Sequence, residues 1–173
     1  LLMLMRISDG IAYSESFDGG KTWAEAARYC VPSPSARMYL GKFNDGTFFL
    51  IHHHNFVGRD HMSVLLSEDE GGSYTSFLLL DERSSVAYPD AFVDETGKVY
   101  AVYDRERYGD KEIHLAVFRK EDVLAGRCVT SGARIKGIVC KATGPRRTEE
   151  EKAGTLWPRK SCDPLRPPTS NLK

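Results

Sequence analysis

Residues 16–23 read SFDGGKTW and residues 67–74 read SEDEGGSY. Both set a Ser, an Asp, a Gly and an aromatic at the same offsets: Ser16, Asp18, Gly20 and Trp23, then Ser67, Asp69, Gly71 and Tyr74. An Asp among glycines suits a metal loop, a catalytic turn or a structural hairpin. A calcium loop of the EF type needs acidic or amide oxygens at alternating positions and a Glu about twelve residues on. SFDGGKTW has one carboxylate. In a hairpin, the Asp accepts hydrogen bonds from nearby backbone N–H groups and from the Ser hydroxyl. The glycines supply positive φ where the chain reverses, and the aromatic returns into the layer between strands. The motif therefore reads as a structural staple. His52, His53 and His54 close the run TFFLIHHH. On a strand His52 and His54 share a face and His53 points away. Zinc needs a third ligand of fixed position, and His61 and His114 stand at no compelling spacing for it. Neither a metal nor a cofactor is implied.

The two boxes are 51 residues apart. A period near 50 with strand-like content points to a propeller array. KFNDGTFFLIHHHN and VDETGKVYAVYDRE each carry a Gly turn followed by an apolar strand, and LLMLMR looks like the same strand without its preceding hairpin. A second strand follows each: IAYSES, HMSVLLSE and KEIHLAVF. Val, Ile and aromatics suit strands, and DG and TG are hairpin signals. Helical periodicity is weak apart from KEDVLAG, a short turn ending at Gly126; AEAARYC is assigned to a strand by the repeat, over the helical reading its alanines allow. The expected fold is all-β: two and a half to three four-stranded blades over residues 1–126, then a basic, Pro-rich and largely irregular tail over 127–173, to which IKGIVC adds one strand.

Composition narrows the function classes. Of the 173 residues 41% are hydrophobic and 28% charged, and no apolar run approaches a membrane span. The formal charge of zero divides unevenly: residues 1–126 hold 13 Lys/Arg and 20 Asp/Glu, residues 127–173 hold 11 and 4. An acidic body argues against a nucleic-acid groove there. Cys30, Cys128, Cys140 and Cys162 form no CxxC pair, which argues against a zinc knuckle and leaves the redox compartment open.

S-x-D-x-G-x-T-W is the Asp-box, and the chain resembles the sialidase (neuraminidase, BNR-repeat) superfamily. Ser16 to Trp23 match the box fully; Ser67 to Tyr74 match it with Tyr in place of Trp. RDHMSVLLSEDEGGSY, SSVAYPDAFVDETGKVYAVYD and LLMLMR are similar to further family segments. The resemblance covers residues 1–126 and implies the C-terminal half of a six-bladed catalytic propeller, with the boxes at the periphery. On that expectation the chain starts partway through a blade, the missing N-terminal blades or self-association cover the exposed blade faces, and this polypeptide alone shows no appreciable sialidase turnover.

The resemblance also implies a site. Family members hold a sugar carboxylate with three arginines, a role suited to the rigid, permanently charged guanidinium fork. Arg6 and Arg59 match two of them. Family members use a tyrosine nucleophile, an exception to the two-carboxylate scheme, because a carboxylate nucleophile is repelled by the substrate's own carboxylate. Tyr88 matches it, but Pro89 follows where the family usually has Ser. The Glu partner and the acid/base Asp match no residue here. By blade register His54 and Asn55, at a strand end, and Asp104, after VYAVYD, are further candidates for substrate contact.

The reading is therefore a sialidase-like exo-glycoside hydrolase, whole or in part, acting with retention on terminal sialic acid or a related acidic sugar. Its rivals are a non-catalytic Asp-box propeller binding glycans or proteins, and a propeller glycosidase for another sugar. The expected partner is a carbohydrate, with no nucleic acid and no membrane span; the resemblance points to a secreted, cell-surface or periplasmic setting.

Overall fold

The computed structural model describes residues 1–144. The greater part of the expected tail, with Cys162, lies outside the described residues.

The described chain is all-β, with eleven strands and one short helix. The strands form three antiparallel sheets in chain order. The first sheet holds β1 (Leu2–Ile7), β2 (Gly10–Glu15) and β3 (Ala27–Arg28). The second holds β4 (Tyr39–Lys42), β5 (Phe48–His53), β6 (Met62–Ser67) and β7 (Ser76–Asp81). The third holds β8 (Val86–Val93), β9 (Val99–Arg105), β10 (Glu112–Phe118) and β11 (Arg134–Lys141). AEAARYC thus contributes a short strand, and β11 contains IKGIVC and extends the third sheet beyond residue 126. Helix α1 (Lys120–Ala125) ends at Gly126, whose φ of 65° gives the left-handed cap that only Gly takes freely.

Local chemistry sets the turns. In FNDGT, Asp45 Oδ1 accepts from the Thr47 N–H at 3.0 Å, and Gly46 takes a φ of 93°. In DETGK, Asp94 accepts from the N–H groups of Thr96 and Lys98, and Gly97 takes a φ of 77°. These turns join the first and second strands of the second and third sheets.

The boxes join β2 to β3 in the first sheet and β6 to β7 in the second. Ser16 Oγ donates to Asp18 Oδ1 (2.8 Å) and accepts from the Gly20 N–H (2.8 Å). Asp18 also accepts from the N–H groups of Lys21 and Thr22 (2.9 Å each) and from the Thr22 hydroxyl (2.7 Å). The second box repeats this: Ser67 Oγ donates to Asp69 Oδ1 (2.7 Å), the Gly71 N–H to Ser67 Oγ (2.8 Å), and the Ser73 N–H and hydroxyl to Asp69 (2.8 and 2.7 Å). These donors hold the Asp69 carboxyl down to about 2, with the Ser73 hydroxyl contributing most. The second box also clips two sheets together. Tyr29, just past β3, donates its hydroxyl to the Gly71 carbonyl (2.7 Å) and pairs with the Tyr74 hydroxyl (2.8 Å).

The second sheet is covered on both faces. Phe49, Ile51, Met62, Val64, Leu66, Leu78 and Leu80 pack toward Val86, Val99, Ala101, Tyr103 and Phe118 of the third sheet. Leu50 and Leu65 pack the other way, toward Ile11, Tyr29 and Val31. His52 and His53 follow the same alternation. The His52 ring meets the His54 ring edge-on at 5.7 Å, whereas His53 Nε2 donates to the Val86 carbonyl at 2.8 Å. His52 is fully buried, and neither ring nitrogen has a partner among the described residues.

Two outcomes follow. Gly71 has a φ of 99°, and a Cβ there would lie 2.8 Å from the Tyr29 hydroxyl and 2.9 Å from Leu2. Gly71→Ala is expected to cost about 1–3 kcal/mol in urea unfolding, and an unchanged midpoint contradicts this. For pH, burial first, then the charges of His54 and His53, hold His52 down to about 3 from an ordinary 6.5. The unfolded chain therefore binds the proton more tightly. His52 contributes full stability above about 6.5, and that contribution is lost as pH falls toward 3. The urea midpoint is expected to fall between pH 7 and pH 5 and to fall less in His52→Leu; equal falls in both proteins contradict the assignment.

Candidate functional site

β1, β5, β7 and β9 end, and β2, β6, β8 and β10 begin, at the rim opposite the boxes. β2 and β6 each run six residues from this rim to a box, which is roughly 20 Å at the rise of a strand. The boxes are thus remote from whatever this rim does.

Tyr88 stands at its centre. Its backbone departs from the regular ladder: β8 and β9 shift register between Ala87 and Asp90, and Tyr88 takes a φ of 54°. A left-handed backbone is an outlier for an aromatic residue. A bulge leaves a residue unpaired and re-aims its neighbours. Pro89 suits that place because it has no N–H to contribute to a ladder. The departure from Tyr-Ser is thus absorbed by the bulge: Pro89 is buried and Tyr88 faces out, 36% exposed.

Guanidinium groups from all three sheets reach this ring. Arg107, in the β9–β10 loop, lies over it at 4.2 Å from its centroid, and Arg59, in the β5–β6 loop, at 5.8 Å. Arg107 and Arg6, the latter near the end of β1, hydrogen-bond the hydroxyl. Arg107 first, then Arg6 and the charge of Arg59, hold the Tyr88 phenol below its ordinary value. Asp104 holds Arg107 in turn: Oδ2 accepts from Nε at 2.8 Å and from a terminal nitrogen at 2.6 Å. Asp104 Oδ1 is buried without a partner among the described residues.

The loops that carry these groups are pinned. Asn55 Nδ2 donates to Asp60 Oδ1 (2.6 Å), closing the loop that carries Arg59. The Arg59 carbonyl accepts from the Val86 N–H (3.2 Å), two residues before Tyr88, and an Arg59 terminal nitrogen donates to the Ser35 carbonyl (3.3 Å). The Glu106 N–H donates to the Ser85 carbonyl (3.1 Å), and Arg105 bridges Asp110 (2.8 Å) and Glu112 (3.0 Å) across the base of the β9–β10 loop. His61, Ser85 and Glu106 also have positive φ, at 49°, 61° and 49°. Such backbone clusters at functional sites, where surrounding contacts hold it. A cleft of about 440 Å³ opens beside the ring, lined by Arg59, Asp60, Ser85, Asp104, Glu106 and Arg107 among others.

The structure thus brings Arg6, Arg59, Tyr88 and Asp104 together. It sets Asn55 behind Arg59, as the closure of its loop. It does not bring His54 to the ring: His54 stacks on Phe77 at 5.6 Å and meets Phe56 edge-on at 5.8 Å, in a separate cleft with Tyr74 and Cys30. Arg107 is not among the candidates that the sequence offered. Its signal was the three-residue spacing from Asp104, which has meaning only once the loop is folded. Among the described residues no group of three or more His, Cys, Asp or Glu is placed to hold a metal ion, and no helix is long and apolar enough to cross a membrane.

The family model for the BNR repeat-like domain matches residues 1–101. The chain belongs to the BNR repeat-like family. The matched region includes both Asp-boxes, Arg6, Arg59 and Tyr88, so the sequence recognition of a sialidase-superfamily Asp-box repeat stands. Among curated proteins nothing matches the chain.

Proposed function

We propose that this BNR repeat-like chain forms blades of a six-bladed propeller whose central face carries a sialidase-type glycosidase site. Residues 1–126 are blades in this reading, with β11 lengthening the third one to Lys141 before the basic tail. The first sheet has three strands where its neighbours have four, as expected of a blade whose innermost strand comes from elsewhere.

The observation that carries the functional reading is the convergence of Arg6, Arg59 and Arg107, one from each sheet, on an outward-facing Tyr88. Terminal sialic acid or a related acidic sugar supplies the carboxylate that free guanidinium groups bind in bidentate fashion. Arg6 and Arg59 take that role. Tyr88 Oη attacks the anomeric carbon, forming a glycosyl–tyrosine bond as the glycosidic C–O bond breaks. The departing oxygen takes its proton from an acid/base carboxyl that is assigned to no residue of this chain. Water then releases the sugar with retained configuration. His54, on its separate aromatic surface, is kept as a contact for a more distant part of the glycan, and Asn55 acts through the Arg59 loop.

A second reading is a propeller that binds acidic glycans without turnover. The Tyr88–Pro89 bulge favours it, since it fixes the ring on a strained backbone in a setting unlike the family's Tyr-Ser.

Arg59→Ala is expected to weaken binding of N-acetylneuraminate to the chain roughly 10-fold or more with the thermal midpoint retained, read by calorimetry. Unchanged affinity contradicts the carboxylate role. Where the complete propeller hydrolyses a 4-methylumbelliferyl sialoside, Tyr88→Phe is expected to lower turnover by roughly 1,000-fold while binding persists. Undiminished hydrolysis removes Tyr88 as the nucleophile.

A further inference from the structure

Three guanidinium groups surround Tyr88, but they are not equivalent. Arg107 spends Nε and one terminal nitrogen on the Asp104 carboxylate. That pair fixes the guanidinium plane over the Tyr88 ring and neutralises part of its charge. A guanidinium engaged in this way has little left to offer a substrate carboxylate. Arg59 makes one long hydrogen bond, to the Ser35 carbonyl, and otherwise faces the cleft. Arg6 shares the Tyr88 hydroxyl but has no carboxylate partner among the described residues, and is exposed.

We propose that Arg107, clamped by Asp104, is a positioning residue for Tyr88: it holds the ring in place and stabilises the ionised hydroxyl. Arg6 and Arg59 are left for the substrate carboxylate. The consequence for catalysis rests on Tyr88 being the attacking group; the Arg107–Tyr88 relation does not.

The fold is built for this task. The β9–β10 loop is tied at both ends. The Glu106 N–H bonds to Ser85, three residues before Tyr88, and the Lys111 N–H bonds to the Glu106 carbonyl at 2.8 Å. Arg105 ties Asp110 and Glu112 together at its base. The Gly109 N–H also returns to the Glu106 carbonyl, at 2.9 Å. The tyrosine's own strand is held by the His53–Val86 bond. Both partners of the cation–π contact therefore sit on braced backbone, the condition under which such a contact keeps its geometry.

The charged groups around the ring agree in sign. Arg107, Arg6 and Arg59 face it from three elements, and all favour the phenolate. Asp104 opposes them but is screened by the Arg107 guanidinium that it binds. Asp90, on the same strand, pairs with Arg37 at 3.5 Å. In the superfamily pattern a Glu takes up the tyrosine proton. Here the Arg107 clamp favours ionisation from the ring side.

The test reads the tyrosine directly. The chain is labelled at tyrosine Cζ and titrated by NMR, with Tyr88→Phe assigning the Tyr88 resonance. The expected midpoint for Tyr88 lies below the ordinary tyrosine value of about 10, and Arg107→Ala moves it up toward that value. Arg107→Lys, which keeps a charge but loses the planar fork, recovers only part of the shift. Tyr29, pushed up to about 12 by burial, reports on the same samples that the fold is intact. An identical Tyr88 midpoint in wild type and Arg107→Ala overturns the proposal, and a full wild-type midpoint in Arg107→Lys overturns the clamp. N-acetylneuraminate binding measured on the same samples keeps the two readings apart. Failure of the wild type to bind the sugar removes the glycosidase reading, while a tyrosine shift that still depends on Arg107 upholds this one.

Discussion

The two central strands of the middle sheet have no solvent face. All six residues of β6 are buried, as are five of the six in β5. Alternation along those strands sends Phe49, Ile51, Val64 and Leu66 to one neighbouring sheet and Leu50 and Leu65 to the other. A sheet that is apolar on both faces is stable only between two others. That constraint sets three sheets side by side and aligns their rims. Arg6, Arg59 and Tyr88 are far apart in sequence and belong to different sheets. They share one site only because the middle sheet draws the other two against itself.

The two ends of the array divide the labour. At one end the Asp-boxes saturate their own backbone: Asp18 and Asp69 each accept several hydrogen bonds within a few residues. They are self-contained, which is why they recur. At the other end local pairs such as Asn55–Asp60 and Asp104–Arg107 are joined by links between elements: the Glu106 N–H reaches the Ser85 carbonyl, and Arg83 reaches Glu112 as well as Asp81. Left-handed residues other than Gly gather here, at His61, Ser85, Tyr88 and Glu106. Strained backbone persists where neighbours determine it, and the tyrosine is the side chain so presented.

Much of this was legible in the sequence because its causes are local. The box spacing gave the repeat, the DG and TG turns gave the hairpins, and period-two alternation put His52 and His54 on one face. KEDVLAG announced α1 by its terminal Gly. The matched family bears out the Asp-box recognition. What was not legible depends on contacts between loops. Nothing in YPD states that the ladder shifts register there, since a bulge is fixed by the partner strand. Arg107 looked like one of several charges in DRERYGD, because its fork to Asp104 and its place over Tyr88 exist only after the loop folds. His54 was expected near Arg59 by blade register, but the alternation of β5 carried one residue past its end puts His54 on the His52 face, toward Phe77.

The central claim is that this rim reads a sugar carboxylate beside Tyr88. A crystal structure of the chain with the didehydro analogue of N-acetylneuraminic acid tests it most directly. The account predicts the carboxylate within hydrogen-bond distance of Arg6 and Arg59, the anomeric carbon beside Tyr88 Oη, and Arg107 still held by Asp104. An analogue bound with its carboxylate away from these arginines, or bound at the aromatic surface around His54 alone, would contradict it.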